Sequence, residues 1–256
     1  MKHYFIGLLS VALLVSCSST KKDDLKSKTP DELYKRARAH LRTGQFTDAA
    51  EDFKEIDTLF SYSARADEAH VLSAYAYFKA ASYVDALREL DIFLRYHPTH
   101  ALVPYAKYLH AMCVYMQMSS VGRDQKAAAD ARAEFIQVMN EFPDSIYASD
   151  CAKKIKMIDN IIAAHEMVIG RYYQNNNNIL AAIGRYNYVV KRMSDTAYAE
   201  EACYRIIECC HSAGLMKEAQ NAYDLIKLRF PNGKWCKKAS ALMNKGFVIK
   251  KMKNKK

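Results

Sequence analysis

The chain has 256 residues, of which 50% are apolar, enough for one sizeable core. Only 8 Gly and 5 Pro punctuate it, too few for the many turns of a β-sandwich, and its abundant alanine, leucine, lysine and glutamate favour helix. The formal charge is +10, but nine lysines with no acidic residue fall within residues 234–256 and Lys2 supplies one more, so residues 3–233 are neutral overall.

The first stretch is a leader. Lys2 gives a short basic start, and residues 4–16 form an apolar run of 13 residues, short of the roughly 20 that a spanning helix needs. The run ends Leu14-Val15-Ser16-Cys17, small residues before a cysteine, the pattern of signal cleavage and lipid attachment. This is similar to the bacterial lipobox. Residues 1–16 are therefore expected to be a lipoprotein signal peptide, and Cys17 the acylated residue. Ser18 after the cysteine, rather than Asp, is compatible with transfer to the outer membrane. Residues 17–28 are polar and charged and read as a tether. An export signal disfavours nucleic acid as a partner for the lysine-rich end.

The folded part starts at Thr29-Pro30-Asp31-Glu32, where Thr29 caps, Pro30 suits the first helical position and Glu32 completes a capping box. A first helical hairpin follows, with Ala37, Gly44, Phe46, Ala49 and Phe53 in repeat slots and a left-handed residue expected at Gly44. Residues 74–98 repeat the pattern: a tight turn at Ala80–Ser82, with Ala74, Tyr77, Tyr83, Ala86, Leu90, Phe93 and Pro98 in the small, large and proline slots. This is similar to a tetratricopeptide repeat, a pair of antiparallel helices that cannot bury its apolar face without neighbouring copies.

A third hairpin is predicted over Tyr105–Met118 and about Ala127–Glu141, joined by an unusually long turn, Ser119–Lys126, in which Asp124 can cap. An extra helix is predicted over Tyr147–Tyr173, a turn at Asn175–Asn178, and a return helix over Ile179–Met193. The fifth hairpin is Ala199–Ser212 and Lys217–Phe230, around Ala213-Gly214. The second-helix alanines, Ala49, Ala86, Ala131, Ala182 and Ala219, are separated by 37, 45, 51 and 37 residues. A plain repeat gives about 34, so the two wide gaps mark the long turn and the extra helix. The expected fold is all-α, a right-handed α-solenoid of five degenerate hairpins. Repeats 1–3 fall in 29–143, the extra helix and repeats 4–5 in 144–233, and a basic tail in 234–256.

No catalytic constellation emerges, and no cofactor or metal site is expected. The eight His are scattered, and there is no glycine-rich phosphate loop. The six cysteines after Cys17 contain no C-x-x-C pair, and Cys113, Cys203 and Cys210 fall on seam positions as small buried residues, with a bridge left open. First-helix repeat positions that line a concave face hold Tyr34, Arg38, Leu41 and Arg42, then Tyr75, Phe78 and Lys79, then Tyr105, Tyr108, Met112 and Tyr115. A groove of tyrosines with cations toward one end suits a peptide with aromatic side chains and a free carboxylate. The same tyrosines also suit inter-repeat core.

Several stretches together carry a family resemblance: Cys17 after its lipobox; Arg123-Asp124-Gln125 followed by Ala131 and Phe135; Phe142-Pro143-Asp144-Ser145 followed by Tyr147 and Asp150; Glu166 followed by Tyr172-Tyr173; and Ala181-Ala182-Ile183 with Arg185. On these the chain resembles the BamD family (YfiO or ComL) of outer-membrane β-barrel assembly lipoproteins, over essentially the whole mature length. It departs from the family in the polar run Asn175–Asn178 and in Ser194, where a proline is expected. The resemblance implies a non-enzymatic, lipid-anchored scaffold at the periplasmic face of the outer membrane. It also implies binding of unfolded outer-membrane proteins through the N-terminal repeats and of a BamA-like barrel subunit through repeats four and five. Candidates for the latter contact are Arg171, Arg185, Tyr204, Glu208 and His211. The alternative is another envelope repeat lipoprotein, of cell division, pilus secretion or murein.

Overall fold

The computed structural model describes residues 29–118 and 126–253. Cys17 with its signal peptide and tether, Arg123-Asp124-Gln125 and most of the long third-repeat turn lie outside the described residues. Within them the fold is the expected all-α one, eleven helices and no strand. They are α1 (Pro30–Thr43), α2 (Phe46–Phe60), α3 (Ala66–Lys79), α4 (Tyr83–Tyr96), α5 (Val103–Met116), α6 (Lys126–Glu141), α7 (Ala148–Asn175), α8 (Ile179–Arg192), α9 (Ala199–Ser212), α10 (Met216–Arg229) and α11 (Lys234–Lys253).

The ends of these helices follow local chemistry. The Thr29 hydroxyl accepts from the Glu32 N–H at 3.3 Å, while the Glu32 carboxylate accepts from the Thr29 N–H at 2.9 Å. This is the reciprocal capping box, and Pro30 occupies the first turn, where no N–H is needed. Gly44 closes α1 at φ 79°, and Asn177 makes the α7–α8 turn at φ 58°. The tight turn between α3 and α4 uses Ala81 at φ 59°, a conformation that a side chain disfavours.

The helices pack as two compact units, Met1–Ala81 and Ser82–Lys256. The division falls at the turn of the second repeat, whereas the sequence separates repeat groups after Pro143. In the first unit Leu33, Tyr34 and Ala37 of α1 meet Phe53 and Ile56 of α2 and Ala69 of α3. The buried Ser73 hydroxyl donates to the Ala50 carbonyl at 3.0 Å, tying α3 to α2. Asp52 of α2 takes both a fork from Arg36 (2.6 and 3.0 Å) and the His40 ring (2.8 Å), so two α1 side chains share one carboxylate.

The second unit has one continuous core, running from α5 through α11. Its longest element, α7, has 28 residues, about 42 Å at 1.5 Å per residue. It is held by different neighbours along its length. Asp150 accepts from the Tyr108 hydroxyl of α5 at 2.8 Å, Asp159 pairs with Arg132 of α6, and Gln174 accepts from the Tyr186 hydroxyl of α8 at 2.8 Å. Tyr186 is the largest fully buried side chain, and its ring lies against Gly170. A Cβ at Gly170 would reach Tyr186 Cδ1 at 2.8 Å and Cζ at 2.9 Å and come closer still to Cε1.

The basic tail begins as a packed helix: Cys236 and Ala239 of α11 are buried in the core, with Trp235, Leu242 and Met243 packed against it. Glu200 of α9 fixes the start of α11, its Oε1 accepting from the N–H groups of Trp235 (2.7 Å) and Cys236 (3.0 Å). A carboxylate at a helix N-terminus satisfies orphan donors and the helix dipole together. Gly233 leaves room for it, since a Cβ there would overlap that carboxylate.

His110 of α5 ties three helices, lying 3.4 Å from Asp91 of α4 and 3.2 Å from Glu134 of α6. Burial alone would push its pKa down, but the two carboxylates outweigh this and hold it above the ordinary histidine value. Glu134 is held below the ordinary carboxylate range, chiefly by its contact with His110.

Two predictions follow from this packing. Gly170→Ala should cost about 1–3 kcal/mol through overpacking. Gly184→Ala, at a helical position with no heavy atom within 4 Å, should gain about 0.5–1 kcal/mol. Urea unfolding of the two variants should therefore shift in opposite directions. For pH, a histidine whose folded pKa is raised stabilises fully below its unfolded value of about 6.5 and loses that contribution as pH rises through the raised value. The stability of the parent should thus fall, as pH rises from about 6.5 through that raised value, more than that of His110→Gln. At the acid end the Glu134 contribution goes as pH falls through its lowered value.

Candidate interaction surfaces

The N-terminal candidates separate into buried and open groups. Tyr34 does not line a groove: it is 6% exposed, its ring edge-on to Phe53 at 5.7 Å with the Arg65 guanidinium 4.5 Å over its face. The apolar stripe of α1 includes it beside Leu33 and Ala37. Arg38 and Arg42, four residues apart on α1, are exposed and share one side of that helix. Arg42 has no partner among the described residues, while Arg38 sits 5.9 Å from the Tyr34 ring centroid. On α3, Tyr75 and Phe78 are half-buried, and exposed Lys79 lies 5.6 Å from the Phe46 ring. The first unit therefore offers exposed cations backed by half-buried rings.

The third-repeat tyrosines are committed to packing. Tyr105 and Tyr108 both meet the Tyr147 ring, at 5.6 and 5.0 Å. Burial and the hydrogen bond to Asp150 push the Tyr108 phenol far up, keeping it a donor. Tyr115 lies against Phe135 at 6.0 Å, with Lys154 5.3 Å over its ring. These rings fasten α5 to α6 and α7, the seam role that the repeat slots equally allowed.

The C-terminal candidates converge more strongly. Arg171 of α7 donates to Glu201 of α9 at 2.9 Å, and Arg205 donates to the same oxygen at 3.2 Å. Arg205 also donates to Glu208 at 2.8 Å, and Gln174 reaches Glu208 at 3.5 Å. Tyr204 stacks obliquely on Trp235 at 5.1 Å, and Arg205 lies 5.5 Å from the same indole. Burial, then Glu208, push the Tyr204 phenol up to about 12. The carboxylates keep Arg205 charged in spite of its burial. Arg171, Tyr204 and Glu208 thus belong to one network whose hub is Arg205, which the sequence reading passed over. Its spacing to Glu201 (i−4) and Glu208 (i+3) was the available signal.

Arg185 stands apart from this network. It pairs with Glu166 at 3.3 Å and lines an open depression of about 490 Å³ with Tyr173, Ala181, Gly184 and Tyr188. His211, in the last turn of α9, is half-buried and joins neither group.

All six cysteines among the described residues are free and buried. Burial pushes Cys113 up to about 12 and Cys151, Cys203 and Cys209 up to about 11, so their thiolates are scarce. The bridge left open by the sequence is not formed among them.

Residues 26–225 match the YfiO family, described as an outer membrane lipoprotein. The chain is 31% identical over 241 residues to the outer membrane protein assembly factor BamD of Caulobacter vibrioides, covering 93% of this chain and 79% of that one. It is 32% identical over 230 residues to the BamD of Rickettsia prowazekii, covering 90% and 92%. The similarity to the BamD of Xylella fastidiosa is 27% over 247 residues, covering 92% and 85%.

The network at α9 makes a prediction about α11. Glu200→Ala removes its cap, a loss of about 1–2 kcal/mol. Trp235 is the chain's single tryptophan, so its emission should move to longer wavelength in this variant while far-UV helicity stays near that of the parent.

Proposed function

Because this chain belongs to the YfiO family of outer membrane lipoproteins, we propose that it is a non-catalytic scaffold of outer-membrane β-barrel assembly. The observation that carries this is the extent of the relation: it runs through both packed units and over most of the length of relatives named outer membrane protein assembly factors. That breadth also weighs against the alternative of a division, pilus or murein lipoprotein.

In this reading the chain is held at the periplasmic face by acyl chains on Cys17, since two or more chains make anchoring stable. The first unit takes unfolded outer-membrane protein, with Arg38, Arg42 and Lys79 as receptors for a C-terminal carboxylate and Tyr75 and Phe78 beside an aromatic side chain. The exposure of the three cations and the open valence of Arg42 support that assignment. Tyr34, Tyr105, Tyr108 and Tyr115 are not given a peptide-binding role, because their rings are spent in packing. The barrel subunit docks on the second unit, at the Arg185 depression and the rim of the Arg171–Glu201–Arg205–Glu208 network. Those are the places where polar side chains, fixed by their neighbours, reach the surface.

Crosslinking in membranes and recovery through a tag after Lys256 should bring down a large outer-membrane barrel protein with periplasmic repeats. Recovery of division or murein proteins alone would sink the assembly role. For the peptide site, a peptide ending in Phe with a free carboxylate should bind about ten to a hundred times more tightly than its amide, the value of a charge-assisted hydrogen bond. Arg42→Gln should shrink that ratio. Equal affinity of acid and amide would remove Arg38, Arg42 and Lys79 from the carboxylate role.

A further inference from the structure

The helix α11 carries a charge that the rest of the molecule does not explain. The family match ends at residue 225, before α11 begins. Residues 3–233 are neutral overall, whereas residues 234–256 hold nine lysines and no acid. Self-repulsion along one helix is unfavourable, so this density is not a folding device. Docking of α11 is accomplished by other means: the Glu200 cap, the Trp235 stack and the buried Cys236 and Ala239. Lys234 and Lys238 lie 5.7 and 4.2 Å from the Trp235 ring, but Lys237 is exposed and has no partner among the described residues.

The type of cation is informative. All nine are lysine, while the chain's thirteen arginines all precede residue 230. Defined protein interfaces are enriched in arginine and depleted in lysine, because the guanidinium fork fits fixed carboxylates. Lysine ammoniums are point charges that suit a diffuse anionic surface. The final helical stretch, Lys245-Gly-Phe-Val-Ile-Lys-Lys-Met-Lys253, adds four of the nine lysines. No described helix is long and apolar enough to cross a membrane.

We propose that α11 is a bilayer-surface element whose ligand is the headgroup phosphate of anionic phospholipid. It would give the chain a membrane contact independent of Cys17, at the opposite end of the sequence. Each lysine near an anionic surface contributes about 1 kcal/mol, screened by salt within a Debye length.

The test uses the full chain carrying Cys17→Ala, so that no acyl chain contributes, and flotation with vesicles of phosphatidylcholine alone or with phosphatidylglycerol added. Binding should rise with the phosphatidylglycerol fraction and fall with salt. The combined Lys250→Gln, Lys251→Gln and Lys253→Gln variant should bind the anionic vesicles about a hundredfold more weakly. The corresponding three-arginine variant should bind like the parent, and unchanged Trp235 emission would show that α11 remains docked in both. Equal binding to neutral and anionic vesicles, or parent-like binding by the glutamine variant, would overturn the proposal. So would failure on anionic vesicles with binding to polyglutamate, which would mark an acidic protein as the partner instead.

Discussion

A pair of helices of about four turns has too little apolar surface to be stable alone, and every level of this structure answers that shortage. Each helix must hide one stripe against its partner and another against the next element. That is achieved where a small residue on one helix admits a large one from its neighbour. Gly170 is the sharpest case, because the Tyr186 ring occupies the space of the missing Cβ and its hydroxyl still reaches Gln174. Ala49, Ala86, Ala131, Ala182 and Ala219, one in the second helix of each hairpin, are all completely buried. Close approach of backbones then places polar side chains of adjacent helices within hydrogen-bonding distance, so the ion pairs are a consequence of the packing rather than its cause.

That consequence decides what the surface can offer. Arg36, His40 and Asp52 in the first unit, and Arg171, Glu201, Arg205 and Glu208 in the second, hold charged groups that are half out of solvent and restrained by several partners. Such groups lose little freedom when a partner protein meets them. Arg42 and Lys79, at the ends of their helices, are less restrained: among the described residues Arg42 has no partner and Lys79 meets only the face of the Phe46 ring. The first unit carries both kinds of group and the second carries the larger restrained network, and the proposed scaffold role would draw on both.

Much of the architecture was legible because it rests on local chemistry. Thr29-Pro30-Asp31-Glu32 can do little but start a helix, Gly44 ends one, and the alanine spacing counts the hairpins. What was hidden depends on which neighbour a side chain meets. Tyr34 and Tyr108 occupy positions that can face a groove or a seam, and only the presence of Phe53, Tyr147 and Asp150 decides for the seam. The nine lysines share α11 with Trp235, Cys236, Ala239 and Met243, whose helical spacing marks a packed stripe. Arg205 is a single arginine in a helix, and its role shows only when the two glutamates a turn away on either side are counted with it.

The proposed scaffold role in outer-membrane barrel assembly is tested most directly by the folded state of those barrels in the native cell after the protein is depleted. Heat-modifiability on gels separates folded from unfolded barrels. Under that role newly made barrel proteins lose the folded form and accumulate unfolded in the envelope, and the intact chain restores them. Folded barrels at undiminished levels after depletion would contradict it.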